Sequence, residues 1–286
     1  MLESAARLKE AIERFLACPR CYAALTVESS QIRCLGTACD FRGAVADDVV
    51  LIRTPDGASY FDGRYQVMQH GNANEGVRCL CYEQQARFVE PYLRPGSVVL
   101  DVGCGPALPY SKDPDCFLIG LDPSLESLRA NKTVDLRVYG TAAALPVPDH
   151  SIDTVLCFYS IHHMVGETVK ENQAMVARVL REFARVVKPG GQVFIFEVSP
   201  WLPFWLAQRA VWDVARHLLG SKLDMYFWSP RRLFDVGRAA FPEATPQRIR
   251  FGASPLKTFP PVFSMPWLKV PRLLYPFHVM LYHWHF

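Results

Sequence analysis

The 286-residue sequence has no run of eighteen or more apolar residues, so nothing in it reads as an ordinary membrane-spanning helix. It also has little net charge. With 31 basic and 28 acidic side chains the balance is +3, too small for nucleic-acid affinity through bulk charge. The low hydrophobicity and high charge of disordered chains are missing, as are internal repeats and low-complexity tracts. Glu3, Glu10 and Glu13 interrupt the first residues, where a secretory signal would need a basic start and an unbroken apolar stretch. The expectation is therefore a cytoplasmic protein with reduced cysteines. Nine cysteines, an odd number, do not suggest a disulfide framework.

What is present divides into three parts. Residues 1–54 hold a helix and a cysteine-rich module. Leu2, Ala5, Ala6, Leu8, Ile12, Phe15 and Leu16 fall near a 3.6-residue period, and short β-prone runs follow at Ala24–Val27 and Val49–Ile52. Residues 55–199 begin with a linker and a helix (Tyr82–Leu93) and then become regular. Strands are expected at Ser97–Asp101, Cys116–Leu121, Leu136–Tyr139, Ile152–Phe158 and Gln192–Val198, with a helix at Ala174–Val187. Strands alternating with helices build a parallel sheet covered on both faces. Residues 200–286 carry all six tryptophans. Eleven basic against four acidic residues leave +7 there, and the rest of the chain, twenty against twenty-four, −4.

Two cysteine pairs lie close together near the start: Cys18 and Cys21, then Cys34 and Cys39. Zinc prefers tetrahedral thiolate coordination, and paired cysteines on neighbouring turns supply it. A module this small buries too little surface to fold alone, so a structural Zn2+ would also fold it.

The most informative segment is Val98-Val99-Leu100-Asp101-Val102-Gly103-Cys104-Gly105-Pro106. An apolar strand ends in an acid and then a tight Gly-x-Gly turn, where glycines allow positive φ and close approach to a ligand. A dinucleotide fingerprint would require glycine at position 108, which is Leu108. Asp122 follows 21 residues after Asp101 at the end of the next strand, where an acid can bind both hydroxyls of a ribose.

Three further segments continue the order: Gly140-Thr141-Ala142-Ala143-Ala144-Leu145-Pro146, Thr154–Phe158 running into Tyr159-Ser160-Ile161-His162-His163-Met164, and Leu180–Gly191. This set resembles the class I S-adenosylmethionine-dependent methyltransferases, notably the branch acting on small molecules and quinones. The resemblance covers about residues 80–198. Leu16–Cys21, Ile32–Cys34 and Val45–Ile52 look like the small zinc ribbons that precede some of these domains.

The resemblance implies a Rossmann-like, mostly parallel seven-stranded sheet with helices on both faces, flanked by the ribbon and an aromatic-rich C-terminal extension. It also implies S-adenosylmethionine as cofactor. Asp101, Gly103, Cys104 and Gly105 would hold its methionine part, Asp122 the ribose, Pro123 the adenine face, and Thr141 and Ala142 the adenine edge. Phe158 would flank it and Tyr65 would close over it. Ala107 stands where a third small glycine is expected, and Thr141 where an acid is common.

His162 and His163 lie just past the fourth core strand. A neutral imidazole there can take a hydroxyl proton near pH 7, so both are candidate catalytic bases. The leading expectation is oxygen methylation of a small, hydrophobic or aromatic metabolite. A second reading is an rRNA guanine methyltransferase, with Arg20, Arg33 and Arg42 on the ribbon touching RNA. A third is a non-catalytic cofactor-binding or zinc-ribbon adaptor. In the C-terminal third, Pro200–Leu219 reads as a helix whose tryptophans pack on the sheet or line a pocket. With Arg209 and Arg216, the same helix also suits peripheral membrane contact. Phe259–Phe263 and Met265–Leu268 are apolar but broken by proline and read as an extended cover over the domain.

Overall fold

The structure is a computed structural model, described over residues 2–53, 84–220, 223–250 and 277–286. Tyr65, the linker and the Phe259–Leu268 segments lie outside these described residues. Eleven strands of the described residues join into one sheet.

The seven-stranded core is β7 (Leu136–Tyr139), β6 (Phe117–Asp122), β5 (Val98–Val102), β8 (Ile152–Phe158), β9 (Val187–Pro200), β11 (Phe277–His285) and β10 (Thr245–Arg250). The first five run parallel, and β11 enters antiparallel between β9 and β10. β5, β6 and β8 are mostly apolar and buried along nearly their whole length because both of their faces are covered.

Six helices flank the sheet in the described residues: α1 (Leu2–Phe15), α2 (84–89), α3 (Leu125–Ala130), α4 (Val169–Val186), α5 (Leu202–Leu219) and α6 (Pro230–Ala240). α4 starts at Thr168, whose hydroxyl accepts the Glu171 N–H at 3.1 Å. Its apolar stripe, including Val176, Val179, Leu180, Phe183 and Val186, is buried against the sheet.

The N-terminal module does not hang from the core. Strands β1 (Leu25–Glu28), β2 (Gln31–Cys34), β3 (Arg42–Ala46) and β4 (Val49–Leu51) form an antiparallel meander. Its last strand then pairs in parallel with β7, setting Val50 opposite Val138 and Leu51 opposite Tyr139. This covers what would otherwise be a bare sheet edge.

A second tie lies behind the sheet. Ala17 N–H donates to the Pro146 carbonyl at 2.9 Å, and Phe15 stacks on Phe117 at 4.2 Å. Arg185 lies over the Tyr22 ring at 3.9 Å and donates to Glu182, Asp149 and the carbonyls of Leu145 and Val147. Glu182 in turn accepts the Leu145 N–H at 2.8 Å. Removing the guanidinium would strand a mostly buried carboxylate, so Arg185→Ala should cost about 3 kcal/mol of stability. Urea unfolding checks this, and an unchanged midpoint would show the network to be dispensable.

Candidate functional site

The parallel strands all present their carboxyl ends to one side, and the expected site residues collect there. Gly103 has φ +77°, and a Cβ on it would lie 2.1 Å from the Ser160 Oγ. Neither the conformation nor the space tolerates a side chain. Gly105 also has positive φ, +58°. Its N–H donates to Asp122 Oδ2 at 2.9 Å, and its carbonyl accepts from Asn131 Nδ2 at 2.9 Å. The other carboxylate oxygen of Asp122 accepts the Ser124 N–H at 2.8 Å, and the Ser124 hydroxyl caps α3. Asp122 thus braces the glycine turn as well as standing at a strand end.

Asp101, at the end of β5, is almost fully buried. The Tyr110 hydroxyl donates to one of its oxygens at 2.5 Å. The other, Oδ1, is buried without a partner among the described residues. Burial pushes the Asp101 carboxyl up to about 7, the neighbouring Asp122 charge adds to the rise, and the Tyr110 hydrogen bond opposes it. An unpaired buried carboxylate beside a side-chain-free turn suits a cationic group on a ligand brought close to the backbone.

The remaining predicted residues are placed around this centre. Phe158 ends β8, stacked on Phe196 at 4.5 Å and near Tyr110 at 5.5 Å. Thr141 Oγ1 accepts the Ala143 N–H at 3.3 Å in the loop after β7, where Ala142 is buried. Pro123 is exposed and Cys104 is buried.

His162 and His163 close a short 3-10 turn, Ile161–His163, two residues past the Ser160 contact with Gly103. His162 is 7 % exposed and its Nδ1 lies 2.6 Å from Glu197 Oε1. The fully buried Glu197 also accepts the backbone N–H groups of His162 at 3.1 Å and Val198 at 2.7 Å. A carboxylate oxygen accepts, so this contact is made with Nδ1 as the donor, which turns Nε2 away from Glu197. Phe227 stacks on the His162 ring at 5.3 Å, and the two imidazoles lie 4.2 Å apart. The Nδ1 of His163 faces the Asp224 carbonyl at 3.3 Å.

Four residues here escape the sequence reading: Glu197, Tyr110, Ser160 and Gln85, whose side chain meets the Tyr159 hydroxyl. Glu197 alone had a visible signal, as a single acid inside the apolar run Phe194–Val198.

The four N-terminal cysteines converge. All four sulfurs lie within 4.8 Å of one another, with Cys18 and Cys39 at 3.6 Å and Cys21 and Cys34 at 3.3 Å. Tetrahedral coordination at about 2.3 Å sets sulfurs about 3.8 Å apart, so these residues fit a metal ion. The N–H of Gly36 points at Cys34 Sγ at 3.2 Å, as donors to thiolates do.

The raised carboxyl of Asp101 has a consequence for stability. The native state holds a proton there that the unfolded chain, at about its ordinary 3.8, releases. Between pH 4 and 7 the native state therefore binds more protons, and this site makes stability fall as pH rises, by at most about 1.4 kcal/mol per unit. The wild type should lose stability relative to Asp101→Asn across that window. Parallel unfolding midpoints would refute the assignment.

Residues 100–195 match a family model described as a methyltransferase domain. The 27-O-demethylrifamycin SV methyltransferase of Amycolatopsis mediterranei is 36 % identical over 124 residues, covering 38 % of this chain and 42 % of that protein. A tRNA (carboxymethyluridine(34)-5-O)-methyltransferase of Arabidopsis thaliana is 35 % identical over 112 residues, covering 38 % and 26 %. The demethylmenaquinone methyltransferase of Listeria welshimeri is 33 % identical over 124 residues, covering 38 % and 49 %. The chain thus spans less than half the length of these curated relatives.

Among solved structures, a chain of the complex between the Haloferax volcanii Trm112 methyltransferase activator and a methyltransferase superposes with a TM-score of 0.51. It is 16 % identical, with 80 % of this chain and 99 % of that one covered, a likeness of fold alone. Residues 100–195 thus match a methyltransferase domain model, within a sheet whose parallel core and glycine turn between two buried acids agree with the arrangement expected from the sequence.

Proposed function

We propose that the chain methylates an oxygen of a small hydrophobic or aromatic molecule, with His162 as general base. The buried His162–Glu197 pair carries this reading, because it orients an imidazole with Nε2 as acceptor just past the glycine turn. S-adenosylmethionine supplies a methyl group already activated by its positive sulfur, so the protein's work is positioning and proton removal. Asp101, Gly103, Cys104 and Gly105 would hold its amino-acid end, with the free Asp101 oxygen meeting the ammonium. Asp122 would take the ribose, Pro123, Thr141 and Ala142 the adenine, and Phe158 would flank it. Glu197 acts through His162 by holding its tautomer. The small-molecule class rests on the rifamycin and menaquinone relatives.

Two measurements test this. With methyl-labelled cofactor and an extract of the native source, label should enter the solvent-extractable fraction. Label in RNA would overturn the acceptor class, and cofactor binding with no turnover would make the chain an adaptor. Once a product is known, His162→Gln should lower kcat by about 10²- to 10⁴-fold while calorimetric cofactor affinity stays unchanged. Full activity would sink the base assignment.

The four cysteines are proposed to hold one structural Zn2+, supported by the convergence of their sulfurs. Freshly purified protein should carry about one zinc per chain, and Cys34→Ala should lose it together with thermal stability. Metal-free protein with an unchanged unfolding midpoint would reject the site.

A further inference from the structure

Residues 103–116 join β5 to β6 without a helix, although a parallel crossover of that length is usually helical. The chain instead folds back over the end of β5 and sets Tyr110 against Asp101. The residues after Tyr110 are pinned. The Ser111 N–H donates to Glu90 Oε1 at 3.0 Å, and Lys112 Nζ pairs with Asp135 at 3.1 Å and donates to the Cys116 carbonyl at 2.8 Å. The Tyr110 ring is buried and lies along Phe158 at an interplanar angle of 29°. Phenylalanine would serve that packing equally well. What tyrosine adds is one polar atom, and that atom donates to Asp101 Oδ2.

That donor divides the work of the two Asp101 oxygens. Oδ2 accepts from Tyr110 in either charge state of the acid. Oδ1 is buried without a partner among the described residues, so a proton on Asp101 sits on Oδ1. The titratable groups facing Asp101 are the Asp122 carboxylate at the end of β6, the Cys104 thiol in the turn, the Cys157 thiol on β8 and Tyr110 itself. None of them is a cation. Burial and the Asp122 charge lift the carboxyl to about 7, and of the influences on it only the Tyr110 hydrogen bond favours ionisation. Below that pH, a cation reaching Oδ1 meets a neutral acid instead of a carboxylate.

We infer that Tyr110 is a positioning residue for the cofactor, acting through Asp101: it keeps Oδ2 engaged and Oδ1 open, so that the cofactor ammonium binds in exchange for the Oδ1 proton. This rests on the proposed meeting of Asp101 with the amino-acid end of the cofactor. In the exchange the Oδ1–H bond breaks and the proton leaves to solvent. The ionised oxygen then accepts an N–H of the ammonium, and nothing is oxidised or reduced. Cofactor binding is thereby linked to pH through the same group that links stability to it. Without the Tyr110 hydroxyl the carboxyl rises further, and the exchange needs a higher pH.

The test reads binding without turnover. Calorimetry with S-adenosylhomocysteine, which keeps the ammonium and has no methyl group to give, is run on the full chain from pH 5 to 8 in buffers of different ionisation enthalpy. The wild type should release about half a proton per ligand at pH 7 and close to one at pH 5, and bind about fiftyfold more weakly at pH 5 than at pH 7. Tyr110→Phe should move the midpoint up by about one unit. Its binding is then about fivefold weaker than wild type at pH 7 but only about twofold weaker at pH 8, whereas lost packing would weaken both equally. Placing 3-fluorotyrosine at position 110 keeps the shape and strengthens the donor, so it should move the midpoint down. A midpoint that neither replacement moves overturns the inference. Asp101→Asn should bind weakly and without the slope, and a slope that survives in it overturns the inference too. If Asp101→Asn binds as tightly as the wild type at every pH, the meeting with the ammonium fails and the inference with it. If it binds weakly while the wild-type profile is flat with no proton released, that meeting stands and this inference alone falls.

Discussion

A carboxylate buried without its full set of partners is expensive, and Asp101 is such a group. Its position follows from the sheet, because β5 is central and its carboxyl end lies under the turns from β6 and β8. Placing the acid there leaves three neighbouring requirements. The turn after it must come close to Ser160, which removes the side chain at 103. A donor must reach in, which Tyr110 supplies from a loop nine residues on. The next strand must end in a residue that braces the turn from the other side, which Asp122 does through the Gly105 N–H. The remaining deficit, one empty oxygen and a carboxyl lifted to about 7, is one that a cation can make good.

The loop after β7 shows how the N-terminal module bears on that centre. Its residues are expected at the adenine edge, yet they make their hydrogen bonds backwards, into α4. Arg178 donates to Ala143, Glu182 accepts from Leu145, and Arg185 holds Leu145 and Val147. The same Arg185 carries Tyr22, one residue past the first cysteine pair. β4 holds the strand that leads into the loop, with Ile52 N–H donating to the Tyr139 carbonyl at 3.1 Å. The cysteine cluster therefore sits on a rigid unit clamped to both the strand and the helix that shape the loop. A flexible tether would carry no such coupling.

Legibility in the sequence tracked the range of the interactions. Asp101, Gly103, Gly105 and Asp122 lie next to strand ends that hydrophobic runs mark out, and their roles depend on neighbours a few residues away. The five parallel strands and α4 were visible for the same reason. β2 and β3 were not, because they are four and five residues long and interrupted by Arg and Gly. β11 was missed because its place between β9 and β10 comes from pairing with residues some eighty positions earlier. α6 does open on a readable signal, Ser229-Pro230, with the serine accepting the Arg232 N–H. Its weak apolar pattern hid it. The expected sheet of seven strands was present, but its continuation into the cysteine module was not foreseeable, since three-residue β4 carries no mark of its partner.

The two halves of the site are built from different materials as a result. The half around Asp101 is local: one strand, one acid and one glycine turn, then a second strand whose terminal acid braces that turn. The surroundings of His162 are assembled from distant pieces, with His162 held by Glu197 from β9, Phe227 from the segment after α5, and Gln208 of α5 holding Phe227. Nothing in a cofactor turn of this kind specifies what is methylated, so a chain can keep it while the later segments diverge. The segments that meet His162 here also carry Trp205, Trp212 and Trp228, all buried. The seating of α5 is thus physically coupled to His162: a change in how that helix is held moves Phe227 through its paired hydrogen bonds with Gln208, and with it the ring that stacks on the imidazole.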